Sequence, residues 1–208
     1  GTANLAPEFN RSYEVGTKWD LNNARFSVRA DLFRTTKDNA REASPTNSLL
    51  YVLAGTQRVQ GAELSLNGRV TNRWQVLSSY TFMHSEVVNS QYYPLSVGYR
   101  LANVPNNLFN LWTTYQPMQR LTIGGGGNYV DSRSASSTVP LDPTTHLVKQ
   151  VPGYVVLNAM ARYTLTDNLS LQANVFNLAN RNYIDEIHPA HIVPGAGTSG
   201  LFGLTFRF

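Results

Sequence analysis

Apolar and polar positions alternate along much of this chain. Over 24–32, Phe26, Val28, Ala30 and Leu32 alternate with Arg25, Ser27, Arg29 and Asp31, and over 62–69, Ala62, Leu64 and Leu66 alternate with Glu63, Ser65, Asn67 and Arg69. A period of two places each set on its own face of an extended strand, one oily and one charged. The C-terminal run Leu201–Phe208 has the same pattern, with Phe202, Leu204, Phe206 and Phe208 opposite Gly203, Thr205 and Arg207. A soluble sheet is expected to protect so apolar a terminal edge with charge, proline or a bulge, whereas a closed barrel has no edge to protect.

Runs of this kind predict about nine strands, near 11–20, 24–35, 57–71, 74–84, 107–116, 121–130, 152–165, 169–178 and 200–208. Short turns rich in Asn, Asp and Pro join some of them, at Leu21-Asn22-Asn23, Thr71-Asn72-Arg73, Gln116-Pro117-Met118-Gln119 and Thr166-Asp167-Asn168. These alternate with long connections around 36–56, 85–106, 131–151 and 179–199. Strict short–long alternation means antiparallel up-and-down strands with tight turns on one rim and large loops on the other.

Alternation by itself fits a β-sandwich as well as a membrane barrel, since a sandwich also has an oily face. The aromatic positions favour the barrel. Trp19, Trp74, Tyr115, Tyr163 and Phe208 lie beside tight turns or at the terminus sharing that rim, each in phase with the apolar face of its strand. Bulky aromatics at one level form an interfacial girdle. The opposite faces carry Lys18, Arg25, Arg29, Glu63, Arg69, Arg162 and Arg207, expected to point toward a hydrated lumen. The predicted class is therefore all-β, a transmembrane antiparallel up-and-down barrel.

Composition narrows the alternatives. In 208 residues of mean hydropathy −0.26, no apolar run approaches the roughly 20 residues of a membrane helix, so insertion must use strands. The net charge of +4 comes from Lys and Arg scattered singly, not from the basic patch that nucleic acid requires. No cysteine is present, which removes disulfides and thiolate metal sites and decides little else. Gly1–Pro7 lacks the basic and apolar regions of a signal peptide, so such a segment is expected to have been removed or to lie upstream. Nine strands cannot close the even-numbered barrel usual in bacteria. The chain therefore reads as a piece of a longer protein, with Gly1–Pro7 the tail of another loop.

Catalytic chemistry is not legible. The G-x-S-x-G, H-E-x-x-H and G-x-x-x-x-G-K-[ST] motifs are absent, and Gly124–Gly127 sits inside a strand without the Lys and helix of a phosphate loop. Nothing pairs His84, His146, His188 or His191 into a dyad, and His188-Pro189-Ala190-His191 lies in a loop with no fixed face for a metal. No catalytic or metal-binding residue is assigned.

Three segments carry a resemblance: Arg11-Ser12-Tyr13-Glu14-Val15-Gly16-Thr17-Lys18 after Pro7-Glu8, Val59-Gln60-Gly61-Ala62-Glu63-Leu64, and Asn174-Val175-Phe176-Asn177-Leu178-Ala179-Asn180-Arg181-Asn182-Tyr183 before the terminal Phe208. Together they resemble the C-terminal part of TonB-dependent outer-membrane receptors, over essentially the whole chain. Ile187–Gly197 further resembles the last loop of receptors for iron held by catecholate siderophores, although Thr198 stands where that subfamily has an arginine. The resemblance implies the last nine strands of a barrel of about 22, with an N-terminal plug, earlier strands and a TonB box outside this chain. It implies uptake of a ferric siderophore with no resident cofactor, the iron arriving as the chelate. Implied partners are the plug, TonB, outer-membrane lipid and, through the C-terminal strand, the barrel assembly machinery. A bulky anionic aromatic chelate calls for Arg, Lys or His beside aromatic rings near the loop-side mouth. The candidates are Arg41, Tyr51, Tyr92, Tyr93, Tyr99, Arg100, Arg133, His146, Lys149, His188 and His191. A passive porin-like channel, a soluble β-sandwich binding module and an outer-membrane enzyme are the competing classes.

Overall fold

The computed structural model describes residues 5–44, 46–47, 50–139 and 148–208. In chain order its strands are β1 (Phe9–Leu21), β2 (Phe26–Ala43), β3 (Tyr51–Thr71), β4 (Trp74–Ser90), β5 (Asn107–Met118), β6 (Leu121–Val130), β7 (Arg133–Ser134), β8 (Gln150–Val151), β9 (Tyr154–Thr164), β10 (Leu169–Phe176), β11 (Ile184–Ile187), β12 (Ile192–Pro194) and β13 (Ser199–Phe206), with a 3-10 turn at Pro94–Ser96. One antiparallel sheet of nine strands, β1-β2-β3-β4-β5-β6-β9-β10-β13, follows the chain without a crossover. The pairs β7–β8 and β11–β12 are small hairpins within the long connections.

Register shows how the two faces form, because residues paired across neighbouring strands share a face. Trp19 pairs with Val28, Val28 with Leu66, Leu66 with Ser78 and Ser78 with Leu111, which makes one continuous apolar face. At the other edge Tyr163 pairs with Leu171 and Leu171 with Leu204 on that same face. Lys18 pairs with Arg29, Arg29 with Ser65 and Ser65 with Ser79 on the opposite, polar face. The alternation in sequence is thus a property of the whole sheet.

A soluble sandwich is overturned by what covers these faces. Among the described residues no second sheet lies against the apolar face, and Leu64 is 50%, Trp74 42% and Phe206 61% exposed. Among the described residues the buried apolar side chains, Ala40, Val87, Ala135, Val139, Val151, Val156 and Ile187, gather toward the loop end. A face so apolar and so open is stable against hydrocarbon, not water. No helix among the described residues is long and apolar enough to cross a membrane, which says nothing about strands.

Several of the sheet strands extend beyond their predicted ends. The connection expected over 36–56 shrinks to 44–50, since β2 runs to Ala43 and β3 starts at Tyr51; β4 likewise runs to Ser90, and β5 passes through Pro117 to Met118. In the β2–β3 extension both faces turn polar, so the alternation that marks a strand disappears while the ladder continues. Arg41 and Tyr51 therefore lie on strands, not in a loop.

Candidate functional site

All long connections emerge at one end of the sheet, and the candidate residues there fall into two adjoining groups. In the first, the Tyr93 hydroxyl donates to the Ala43 carbonyl at 3.1 Å, and the Tyr92 N–H donates to Glu42 Oε2 at 3.3 Å. The second connection is thereby held against the β2–β3 hairpin. Tyr51 pairs with Ala43 and is exposed, as is Arg41, whose backbone N–H donates to Glu8 Oε1 at 3.1 Å. Burial pushes the Glu8 carboxyl up, but Lys37 at 3.0 Å and the Arg41 N–H outweigh it, leaving Glu8 below the ordinary carboxylate range.

The second group ties three connections together. Arg133 is only 7% exposed, and its terminal nitrogens donate to the carbonyls of Asp185 at 2.5 Å and Ile184 at 2.6 Å. Its guanidinium also lies 5.7 Å from the centre of the Tyr154 ring. Arg100 donates to the Ser132 carbonyl at 2.9 Å, and Lys149 to the Pro189 carbonyl at 3.3 Å. The Tyr99 hydroxyl accepts from Gln150 Nε2 at 3.5 Å. His188 and His191 are exposed and stack at 4.7 Å between ring centres, with the His188 N–H donating to the His191 carbonyl at 2.9 Å. His146 lies outside the described residues. In this arrangement Arg100, Arg133 and Lys149 brace backbone carbonyls, while the buried Arg133 Nε has no hydrogen-bond partner among the described residues.

Several organising residues carry no sequence signal of ligand chemistry. Ala135, Val151 and Ile187 pack with Ile184 into a small core beneath the loops. Ser96 Oγ accepts from the Val139 N–H at 2.8 Å and joins the two groups. Asn177, 2% exposed and at φ 49°, donates to the Arg181 and Ala196 carbonyls at 2.9 Å each and accepts from the Arg181 N–H at 2.8 Å. Asn and Gly are the residues that accept this left-handed conformation readily. Thr198 belongs to the same knot, its hydroxyl donating to the Asn177 carbonyl at 2.7 Å.

Beneath the last connection a cleft of about 410 Å³ opens on the polar face, lined by Asn110, Asn128, Asn158, Tyr154, Tyr183 and Asp185 among others. The Tyr154 and Tyr183 rings pack 4.4 Å apart between centres, their planes tilted by 38°. Farther along this face, Arg29 Nε lies 2.7 and 2.9 Å from the two oxygens of Asp31 and its Nη2 lies 3.0 Å from Glu14. The Asp31 carboxylate occupies the space a side chain on Gly16 would need, which is why it is 7% exposed. Lys18, Glu63, Arg69 and Arg162 share this face by register, and Arg207 continues it in phase. Arg25 sits in the β1–β2 turn with its guanidinium 3.4 Å from the Val70 carbonyl. Leu77 and Trp112, paired with each other, form an apolar island on this face.

At the tight-turn rim Trp74 pairs with Tyr115, and the indole N–H donates to Thr113 Oγ1 at 2.7 Å. Trp19, Tyr163 and Phe208 are exposed on the same apolar face. Among the described residues no three His, Cys, Asp or Glu side chains are placed to hold a metal.

The architecture is that of a known wall. Residues 1–178 match the family described as TonB dependent receptor-like, beta-barrel. The chain belongs to the TonB-dependent receptor family. It is 33% identical over 217 residues to the probable TonB-dependent siderophore receptor PiuA of Acinetobacter baumannii, a match covering 98% of this chain and 28% of PiuA. It is 31% identical over 182 residues to the catecholate siderophore receptor Fiu of Escherichia coli K12, covering 88% of this chain and 23% of Fiu. The crystal structure of PiuA superposes with a TM-score of 0.85 at 31% identity, over 100% of this chain and 30% of that one. The closed form of Fiu gives 0.81 at 29% identity, over 98% and 28%. The chain thus spans less than a third of the length of these TonB-dependent relatives, as nine strands of a wall that does not close on itself.

Proposed function

We propose that this chain is the C-terminal part of the wall and loop face of an outer-membrane receptor that imports a ferric siderophore, of the catecholate class, with coupling to TonB through a plug outside the chain. The observation that carries this reading is the loop face itself. Its connections are fastened to one another by Arg133, Asn103 and Tyr93, and this braced platform presents the open His188–His191 stack, Tyr51 and Arg41 toward solvent. Aromatic and imidazole rings beside guanidinium suit a flat anionic aromatic chelate through stacking and charge. The polar face, with its Glu14–Arg29–Asp31 network and the Leu77–Trp112 island, suits contact with a plug domain. The exposed apolar face and its Trp74–Tyr115 rim suit the hydrocarbon of the outer membrane. The relatives named PiuA and Fiu support the same reading, and the wall needs no bond-making chemistry to serve it.

The test is binding and uptake by the full-length receptor in cells lacking other iron receptors, with iron-labelled catecholate and hydroxamate chelates offered in parallel. Catecholate-dependent uptake that needs TonB is expected, with His188→Ala/His191→Ala weakening binding about tenfold, the loss of roughly 1.4 kcal/mol of contact. Uptake of neither chelate, or uptake indifferent to TonB as in a passive channel, sinks the proposal.

A further inference from the structure

The apolar face changes character abruptly toward the loop end. On β1 to β4 the row Val15, Leu32, Ala62 and Phe82 is apolar, and the next row on the same face is Tyr13, Arg34, Gln60 and His84. Arg11, Thr36, Arg58 and Glu86 follow. Three guanidinium groups thus stand on the face that meets hydrocarbon, immediately above it. Arg11 pairs with Asp38 at 3.1 Å, and Arg58 pairs with Glu86, its Nε 3.0 Å from Oε1. Arg34 is exposed and has no carboxylate within ion-pair distance among the described residues. His84 lies 3.9 Å from Glu86 and is otherwise open to the outside.

Directly below this basic row the wall is indented. Ala30 and Ala62 form the floor of a groove of about 460 Å³ whose sides are Val15, Leu32, Leu64 and Tyr80. Larger residues at either alanine would level it. Arg34, whose charge also acts on Glu86 from beyond ion-pair distance, is an exposed cation over an apolar trough. That combination matches a molecule with an anionic head and a hydrocarbon tail, and near a membrane surface each such cation attracts anionic lipid.

From this juxtaposition we infer a specific lipid site: a phosphorylated lipid of the surrounding leaflet seats its phosphate on Arg34, flanked by Arg58 and His84, and lays an acyl chain in the Ala30–Ala62 groove. The inference rests on the membrane placement of the wall and is independent of which chelate is carried. The bound lipid would fasten β1 to β4 at the level where these strands leave the membrane.

Native mass spectrometry of the full-length receptor in mild detergent tests this, with diphosphoryl lipid A, phosphatidylethanolamine and inorganic phosphate as probes. Wild type is expected to retain lipid A where phosphatidylethanolamine is lost. Arg34→Gln should lower that retention about fivefold, the effect of removing one interfacial cation. Ala62→Phe fills the groove without altering charge and should lower it too. Heat-modifiable migration establishes that each variant is folded, and siderophore binding on the same preparations separates failure here from failure of the transport reading. Equal retention of the two lipids, equal retention by wild type and both variants, or displacement of lipid A by inorganic phosphate alone overturns the site.

Discussion

Asn103 and Ile187, 84 residues apart in sequence, exchange two hydrogen bonds: Asn103 Nδ2 donates to the Ile187 carbonyl at 2.7 Å, and the Ile187 N–H donates to Asn103 Oδ1 at 3.2 Å. The side-chain amide reads the buried Ile187 backbone as a neighbouring strand would. Asn103 is itself at φ 57°, and its own N–H donates to the Ser134 carbonyl at 2.9 Å. One residue of the second long connection therefore fixes both the third and the fourth.

Replacing Asn103 by Gly keeps the left-handed backbone and deletes the clamp, leaving two buried backbone groups without partners. The expected local cost is about 1–3 kcal/mol, felt by the loops and not by the sheet. Hydrogen exchange of the Ile187 amide should accelerate accordingly, while amides of β9 and β10 stay protected. Unchanged exchange at Ile187 would mean the Ala135–Val151–Ile187 core holds the loop without this amide.

Asn177 offers a second separation of backbone from side chain. Asn177→Ala removes the bonds to Arg181 and Ala196 and forces a left-handed alanine, for a combined local loss of about 2–4 kcal/mol. Asn177→Gly restores the conformation alone and should recover about 1 kcal/mol of it. Proteolytic sensitivity of the 178–198 segment in the folded receptor should rank alanine above glycine above wild type. Equal sensitivity of the two variants would assign the whole effect to the hydrogen bonds.

These contacts mark where sequence reading reaches its limit. The nine sheet strands and the face of each were legible because β strands with one oily and one polar side write a period of two, as at Phe26–Leu32 and Ala62–Arg69. The extension of β2 beyond Thr35 and of β3 ahead of Gln57 was not, since a ladder wet on both sides has no apolar set to count. Strands β7, β8, β11 and β12 are too short for any period to show. In the candidate site, ring and cation types pointed to the loop end, and the structure brings the described candidates together there. Their partners could not be read, because Arg100, Arg133 and Lys149 bind backbone carbonyls, which every residue carries.

Asp131, at the base of the third connection, gives the loop face a pH dependence. Burial pushes its carboxyl up, but the Asn107 amide at 2.8 Å, the Ser132 N–H at 2.7 Å, the charge of Arg100 and the Tyr129 hydroxyl outweigh it and hold it below its ordinary range. A carboxyl depressed on folding adds stability above its unfolded value, about 3.9, and loses it as pH falls through the lower folded value. Asn107→Ala removes one of those donors and should cost about 1 kcal/mol near neutrality. The wild-type advantage should shrink below about pH 4, where the unfolded carboxyl already binds its proton. The same change frees the Tyr80 hydroxyl, so the decisive measurement is the slope of unfolding midpoint against pH, not its value at one pH. Parallel slopes for wild type and variant would show that Asp131 is not coupled to loop stability.

Glu63 and Leu64 are sequence neighbours on opposite faces of β3, and they give the sharpest test of which face meets hydrocarbon. Leu64 pairs with Ala30 and Tyr80 on the apolar face, while Glu63 pairs with Asp31 and accepts from the Thr81 hydroxyl at 3.3 Å on the polar one. An arginine placed in hydrocarbon near the middle of a barrel wall costs about 2–4 kcal/mol, and one placed in a wet lumen costs little. Leu64→Arg should therefore lower the denaturant midpoint of the full-length receptor in lipid vesicles, whereas Glu63→Gln should move it by well under 1 kcal/mol. Moving both variants from lipid vesicles to short-chain detergent, where water reaches the wall more easily, should narrow the gap between them. If Glu63→Gln proved the more damaging of the two in lipid, the faces would be assigned the wrong way round, and the polar-face network of Glu14, Arg29 and Asp31 would have to lie against the membrane.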